Sequence, residues 1–156
     1  MHWNEELCEF LMGGVSITLA SRSAQLIPSI ARAMGCMAMS DGAAQLRIFV
    51  SAAQAAELID DVRASAMVSA TFSVPTTHRT LQFKGGNARV TTVLDAERAL
   101  IEAYVGKFAA ALRPLGFSDD FTRAFLASPA DEVAIEFTPS EGFQQTPGPS
   151  AGARLA

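Results

Sequence analysis

Alternation of apolar and polar residues is the dominant pattern along this chain. Val15, Ile17 and Leu19 are separated by Ser, Thr and Ala positions, which is the period of a strand with one buried face. The same alternation, or a less regular extended run, recurs five more times. The pattern therefore predicts six strands, at 15–20, 27–39, 46–50, 68–74, 80–84 and 133–137.

Four helices are predicted around these strands. Asn4 is a suitable cap for a short helix that ends near Met12. Ser51 and Gln54 form a capping box, which predicts a helix from Ser51 to about Arg63. Helical spacing of apolar residues predicts two further helices, at 95–112 and 118–127.

The order of the elements favours an antiparallel sheet. Only one helix separates the first five strands, and Ser40-Asp41-Gly42 is a hairpin signal between two of them. Six short strands that close on themselves would leave no exposed edge. We expect one mainly β barrel domain with flanking helices at 1–143, followed by a Pro/Gly-rich tail at 144–156. This tail cannot build its own core, so we expect it to be loose or laid against a partner surface.

Composition narrows the function classes. The chain has 156 residues, is 49% hydrophobic and carries a net charge of −4. The absence of a basic run argues against nucleic acid as a partner. The acidic N-terminus and the lack of a long apolar run predict a cytoplasmic protein with no signal peptide and no membrane span. Cys8 and Cys36 are expected to be reduced, buried thiols, and the high apolar fraction suggests a second copy as partner.

Cations are concentrated on or beside the predicted strands. They predict an anion site in which Arg32 and Arg79 grip a phosphate or carboxylate with their planar guanidinium groups. The hydroxyl of Ser51 and the helix start that follows it would add neutral donors. The alternative is that these cations face solvent in ordinary ion pairs. The five residues concerned are Arg22, Arg32, Arg47, Arg79 and Lys84.

Other candidate chemistry is sparse. His78 either hydrogen-bonds a cofactor or, as a loop histidine, satisfies backbone carbonyls. The histidine and carboxylate spacing predicts no metal site, and neither a nucleophile triad nor GxSxG is present. Gly85-Gly86 indicates a bulge or tight bend. The aromatic set on the last helix is expected to pack in the core or a dimer interface; it consists of Phe117, Phe121 and Phe125.

The stretch from Ser16 to Val90 resembles the pyridoxamine 5'-phosphate oxidase-like family of flavin mononucleotide (FMN) binders. The resemblance is carried by the order of the strands, by 68–72 (VSATF) and by 77–85 (THRTLQFKG). It implies a six-stranded antiparallel split β-barrel with flanking helices, a homodimer and FMN at the subunit interface. The cofactor-binding residues it implies here are Arg32, Ser51, Thr77, His78, Arg79 and Lys84.

One departure from the family leaves two functions open. Where the family has a Ser-Arg-Lys cluster for the flavin phosphate, this chain has Ala56, Glu57 and Leu58. The first hypothesis is an FMN-dependent oxidoreductase with unknown substrate and catalytic residues. The alternative is a split-barrel dimer that has lost this phosphate site and binds another anionic or aromatic ligand, or serves as an interaction module. The oxidase reaction itself is not expected, because the C-terminal part lacks an Arg-x-His segment.

Overall fold

The computed structural model describes residues 3–39 and 44–155, which form four α-helices and nine strands. The Ser40-Asp41-Gly42 turn lies outside these ranges. The helices are α1 (Glu5–Leu11), α2 (Ala56–Ser65), α3 (Asp95–Leu112) and α4 (Asp119–Phe125). The strands are β1 (Ser16–Arg22), β2 (Pro28–Arg32), β3 (Cys36–Met39), β4 (Gln45–Ser51), β5 (Val68–Ser73), β6 (Thr80–Gly85), β7 (Arg89–Thr92), β8 (Glu132–Phe137) and β9 (Glu141–Gln144).

The strands form two antiparallel sheets rather than one six-stranded barrel. One sheet has five strands in the order β2-β1-β5-β6-β9, and the other has four in the order β3-β4-β8-β7. The six-strand prediction was therefore wrong in number. The stretch 27–39 divides into β2 and β3, one in each sheet, and β7 and β9 were missed because each has only four residues. Gly35, with a φ of 121°, lies in the crossing segment between β2 and β3.

The core lies between the two sheets. Large side chains with essentially no exposure meet there, among them Phe72 and Phe83, whose rings are 6.1 Å apart. Trp3 packs against the same cluster, with its ring centre 5.3 Å from that of Phe83 and the two rings tilted by 54°. Helix α2 adds Leu58 and Val62 to this core. The alternation in the sequence thus places one face of β1, β5 and β6 in the interior and turns the other outward.

Strand β4 is buried on both faces, unlike the half-buried strand that its sequence suggests. Leu46 and Ile48 point into the core, while Phe49 packs with Met34 and Ile101 in a second, smaller cluster that involves α3. Helix α3 therefore covers the side of the four-stranded sheet that faces away from the core. Arg47 lies in this covered region and is 7% exposed.

The C-terminal residues fold back along β9. The N–H of Gln144 donates to Ala153 O at 2.8 Å, and the N–H of Leu155 donates to Gly142 O at 2.9 Å. Arg154 also forms an ion pair with Glu141 at 2.5 Å. This segment therefore lies against its own five-stranded sheet, where it covers the free edge of β9. The expectation of a tail that is loose or laid against a partner surface was wrong.

Both cysteines are buried and free. The Cys36 thiol donates to Leu11 O at 3.2 Å, and burial raises the pKa of this thiol to about 12. Among the described residues, no helix is both long and apolar enough to cross a membrane.

Candidate functional site

The five-stranded sheet has a polar face directed away from the core, here called the outer face. Every second residue of its strands, such as Leu19, Ala70 and Phe83, points into the core and has no exposure. The residues between them therefore point outward and form the outer face. Register places these residues in rows across β1, β5 and β6. The outer face is rich in hydroxyl and amide groups, which belong to Ser16, Thr18, Ser69, Thr71, Ser73, Thr80 and Gln82.

Cations without carboxylate partners concentrate around this outer face. Of the twelve Lys and Arg residues, six form ion pairs within the described part of the chain: Arg47, Arg63, Arg89, Arg98, Arg113 and Arg154. The other six are Arg22, Arg32, Arg79, Lys84, Lys107 and Arg123. Four of these six, namely Arg22, Arg32, Arg79 and Lys84, lie on the outer face or in the turns at its ends.

Arg47 differs from the cations with which the sequence grouped it. Its guanidinium is buried and bonds Glu97 and Glu136, so its charge is neutralised by carboxylates within the protein. The sequence could not separate Arg47 from the other four cations, because each stands on or beside a strand. Only the packing of α3 over β4 makes the distinction.

Arg32 occupies the β2 edge of the outer face. Its Nη1 donates to the hydroxyl of Ser16 at 3.1 Å, and its guanidinium carbon lies 4.5 Å from the centre of the Phe125 ring. Phe125 is the last of three stacked rings on and beside α4. The ring centres of Phe125 and Phe121 are 5.9 Å apart, and those of Phe121 and Phe117 are 5.1 Å apart. These three rings are 42–48% exposed, so they do not pack in the core, and of the two expected locations the dimer interface stays a prediction.

Thr77, His78 and Arg79 lie together in the exposed turn between β5 and β6. His78 has a φ of 58°, and its N–H donates to Val74 O at 2.9 Å. A left-handed conformation at a non-glycine residue costs energy and is held here by this bond and by the Thr80 hydroxyl, which donates to His78 O. The Arg79 guanidinium lies 4.6 Å above the ring of Phe10 on α1.

Lys84 extends from the opposite end of β6. Its ammonium lies 4.9 Å from the centre of the Phe143 ring, and it borders a cavity of about 430 Å³ at the end of the outer face. The structure thus places Arg32, Arg79 and Lys84 at three corners of one surface.

Ser51 lies apart from these residues, in the four-stranded sheet. Its hydroxyl donates to Asp131 Oδ1 at 2.8 Å, and the N–H of Ala53 donates to the other oxygen at 2.6 Å. Desolvation would raise the pKa of the Asp131 carboxyl, but these bonds and one from Ser128 hold the pKa below its ordinary value. Helix α2 begins at Ala56, after a turn, so the predicted helix start at Ser51 was wrong. The N–H of Gln54 nevertheless donates to the Ser51 hydroxyl at 3.4 Å, which is one of the two bonds of a capping box.

The start of α2 is acidic. A cavity of about 300 Å³ between the β1–β2 hairpin and this helix is lined by three carboxylates: Glu57, Asp60 and Asp61. The Ser29 hydroxyl donates to Asp61 at 2.6 Å. Such a lining repels a phosphate, because no cation lies among the residues that line it.

A further cleft of about 560 Å³ lies between α3, α4 and the start of β8. Its rim carries two cations, Arg98 and Arg123, and two carboxylates, Glu102 and Glu132. These charges balance, and Arg98 is bonded to Glu132 at 3.3 Å. Within residues 3–39 and 44–155 there is also no group of three or more His, Cys, Asp or Glu side chains that could hold a metal ion.

Some residues of the outer face were missed at the level of sequence. Ser69 and Phe143 border the Lys84 region but were not singled out. Alternation along β5 carried the signal for Ser69, since Val68 and Ala70 point inward. No comparable signal existed for Phe143, because β9 is short and its pairing with β6 is long-range.

Comparison with known proteins gives similarity in structure alone. No protein-family model matches the sequence, and neither does any curated protein. HupZ from Group A Streptococcus is similar over 96% of this chain and 99% of its own, at a TM-score of 0.55 and 12% identity. A candidate pyridoxamine 5'-phosphate oxidase from Lactobacillus delbrueckii is similar over 91% of this chain and 93% of its own, at a TM-score of 0.53 and 11% identity.

An F420 reductase is also similar, over 86% of this chain and 93% of its own, with a TM-score of 0.51 and 17% identity. Identities this low establish a shared fold. The chain therefore has the split-barrel fold of the pyridoxamine 5'-phosphate oxidase-like proteins, which confirms the family resemblance at the level of the fold.

Proposed function

We propose that this chain is a homodimeric flavin-binding protein, with FMN as its cofactor, that holds the flavin against the outer face of the five-stranded sheet. The observation that carries the proposal is the set of unpaired cations around a hydroxyl-rich surface. In a chain with a net charge of −4, six cations form no ion pair among residues 3–39 and 44–155, and four of them lie at this one surface.

The residues present suit the chemical parts of FMN. Lys84 supplies charge for a phosphate, and the guanidinium groups of Arg32 and Arg79 can stack on a flat ring and bond its oxygens. Thr77 and His78 offer polar groups at the turn beside Arg79. The hydroxyls of β1 and β5 can bond a polyhydroxyl chain. The phosphate is not proposed at the start of α2, since Glu57, Asp60 and Asp61 line that cavity.

A second copy is proposed to cover part of the outer face. Large apolar residues stand exposed at the β1–β2 hairpin: Leu26 is 68%, Ile27 65% and Ile30 71% exposed. With Phe121 and Phe125 they form an apolar rim that runs along the β2 edge. Contiguous apolar surface of this kind is typical of protein interfaces, and a symmetric dimer is the simplest way to bury it.

The activity proposed is that of an oxidoreductase, in a cytoplasmic protein. When bound, a flavin supplies the electron-transfer chemistry, so the protein has to bind and orient it and exclude solvent. Arg32 and Arg79 would fix the flavin by charge, and the partner's apolar rim would exclude water from the covered surface.

The absorption spectrum of the purified protein, followed by titration with FMN, tests the proposal. We expect quenching of FMN fluorescence at micromolar protein, and light scattering that reports twice the mass of one chain. Unquenched flavin together with a dimer would favour the alternative, a split-barrel dimer for another anionic or aromatic ligand. A monomer that does not quench FMN would contradict both parts of the proposal.

A further inference from the structure

The cavity beside Lys84 is formed where β1 and β6 end and β5 begins. It measures about 430 Å³ and is open to solvent at the rim of the outer face. Arg22 borders it from β1, Lys84 from β6, and Ser69 from β5 between them. Three neighbouring strands therefore contribute polar side chains to one concave surface.

Ser69 has an unsatisfied hydroxyl in this cavity wall. Its Oγ is buried and has no hydrogen-bond partner among residues 3–39 and 44–155. The nearby hydroxyls are partnered: Ser21 donates to Met67 O at 2.7 Å, and Ser140 donates to Lys84 O at 3.3 Å. An orphaned buried polar group is rare and costly. A serine hydroxyl rotates about one bond, so a ligand atom in the cavity can supply the missing partner.

The charge available in the cavity is positive. Neither Arg22 nor Lys84 has a carboxylate partner in the described part of the chain, and Arg22 bonds only the carbonyl of Ser23, at 3.4 Å. The one carboxylate of the lining, Glu141, is paired with Arg154 at 2.5 Å. The two free cations face a ligand whose own charge would be negative.

The backbone leaves room for such a ligand. A Cβ added at Gly86 would meet only the sulfur of Met67, at 3.4 Å, so the wall is open at this point. Met67 is 43% exposed and has a flexible side chain. A tetrahedral oxyanion and its attached group can therefore enter between Gly86 and Lys84.

We propose that this cavity is a phosphate-monoester site, in which Arg22 and Lys84 neutralise the dianion and the Ser69 hydroxyl donates to one of its oxygens. The inference deepens the proposed function and rests on it for the identity of the ligand, since FMN carries such a group and riboflavin lacks it. It places the flavin phosphate at the end of β6 opposite the turn at 77–79, in a cavity separate from the acidic one beside α2.

Two probes separate this inference from the proposed function. In the first, FMN and riboflavin are titrated into the wild type, Lys84→Met, Ser69→Ala and the control Lys107→Met. Lys107 lies on α3, bonds the carbonyl of Met12 and likewise has no carboxylate partner among the residues that the structure describes. We expect the wild type and Lys107→Met to prefer FMN at least tenfold, a preference of about the size of one charge-assisted bond. Lys84→Met should remove most of this preference, and Ser69→Ala should reduce it about threefold or more.

The second probe is phenyl phosphate, which is titrated into the ¹⁵N-labelled protein and followed by NMR through the amide signals of Ser69 and Gly86. Shifts at both that disappear in Lys84→Met support the cavity, even if neither flavin binds and the proposed function fails. Equal affinity of the wild type for FMN and riboflavin overturns the assignment of the cavity as the phosphate site, while the flavin proposal stands. If the amide signals of Ser69 and Gly86 do not move at millimolar phenyl phosphate, the assignment is overturned as well.

Discussion

Arg47 and Glu97 form a bidentate ion pair that fastens α3 to the four-stranded sheet. Arg47 Nε lies 2.5 Å from Glu97 Oε1, and Nη2 lies 2.9 Å from Oε2. The remaining donors of the guanidinium bond Thr91 Oγ1, Thr92 O and Glu136 Oε2 at 2.6–3.1 Å. Every donor direction of a nearly buried cation is therefore occupied, and the pair has a structural role.

Replacement of Arg47 by Met should destabilise the fold strongly. Glu97, which is 4% exposed, would be left as a buried carboxylate without its cation. We expect the free energy of unfolding to fall by about 3–5 kcal/mol, the usual cost of breaking a buried pair from one side. Urea denaturation measures this loss. Arg113→Ala removes an exposed pair with Asp119 and should leave the midpoint close to that of the wild type; equal effects of the two variants would contradict the structural role.

The same pair predicts a pH dependence of stability. The Arg47 guanidinium bonded to Glu97 holds the pKa of that carboxyl below its ordinary value. A carboxyl whose pKa is depressed on folding stabilises the protein above the unfolded value of about 4.3, and this contribution is lost as pH falls through the lower folded pKa. Glu97→Gln should therefore flatten the acid side of the stability curve relative to the wild type. Parallel curves below pH 5, recorded by urea denaturation, would contradict this.

Two adjacent glycines should differ sharply in their tolerance of alanine. A Cβ at Gly85 would lie 2.6 Å from the Phe137 ring and 2.9 Å from Thr138 O, whereas one at Gly86 would meet only Met67 Sδ. We expect Gly85→Ala to cost about 1–3 kcal/mol through overpacking and Gly86→Ala to cost much less. Thermal denaturation of both variants checks this, and a larger loss for Gly86→Ala would refute the close approach of β6 to β8.

The sequence predicted much of the fold because alternation is a local signal. The runs that became β1, β5 and β6 were recognised from their period, and the outer face follows from them. Other features depend on contacts between distant residues. The burial of Arg47 requires α3 to pack over β4, and the bond from Ser51 to Asp131 joins residues far apart in sequence. Such pairings leave no periodic trace, so Arg47 and Ser51 were both grouped with the anion site.

The proposed dimer predicts that a charge at Ile30 will separate the subunits. Ile30 is 71% exposed on the outer face beside Arg32, and a buried aspartate there would be unpaired at the interface. We expect Ile30→Asp to be a folded monomer by light scattering and circular dichroism. Ala103→Asp places the same charge on an exposed position of α3 and should remain dimeric. A dimeric Ile30→Asp would rule out this surface as the interface.

The binding of FMN to arginine variants of the outer face is the most direct test of the central claim, which is that unpaired cations on this surface hold a flavin. FMN fluorescence should be quenched by the wild type at micromolar concentration. Arg32→Ala and Arg79→Ala should each bind at least tenfold more weakly, because each loses a charge-assisted bond. Arg63→Ala, which removes an exposed cation already paired with Asp60, should bind like the wild type. Wild-type affinity in both Arg32→Ala and Arg79→Ala, or no quenching by any of the four proteins, would contradict the claim.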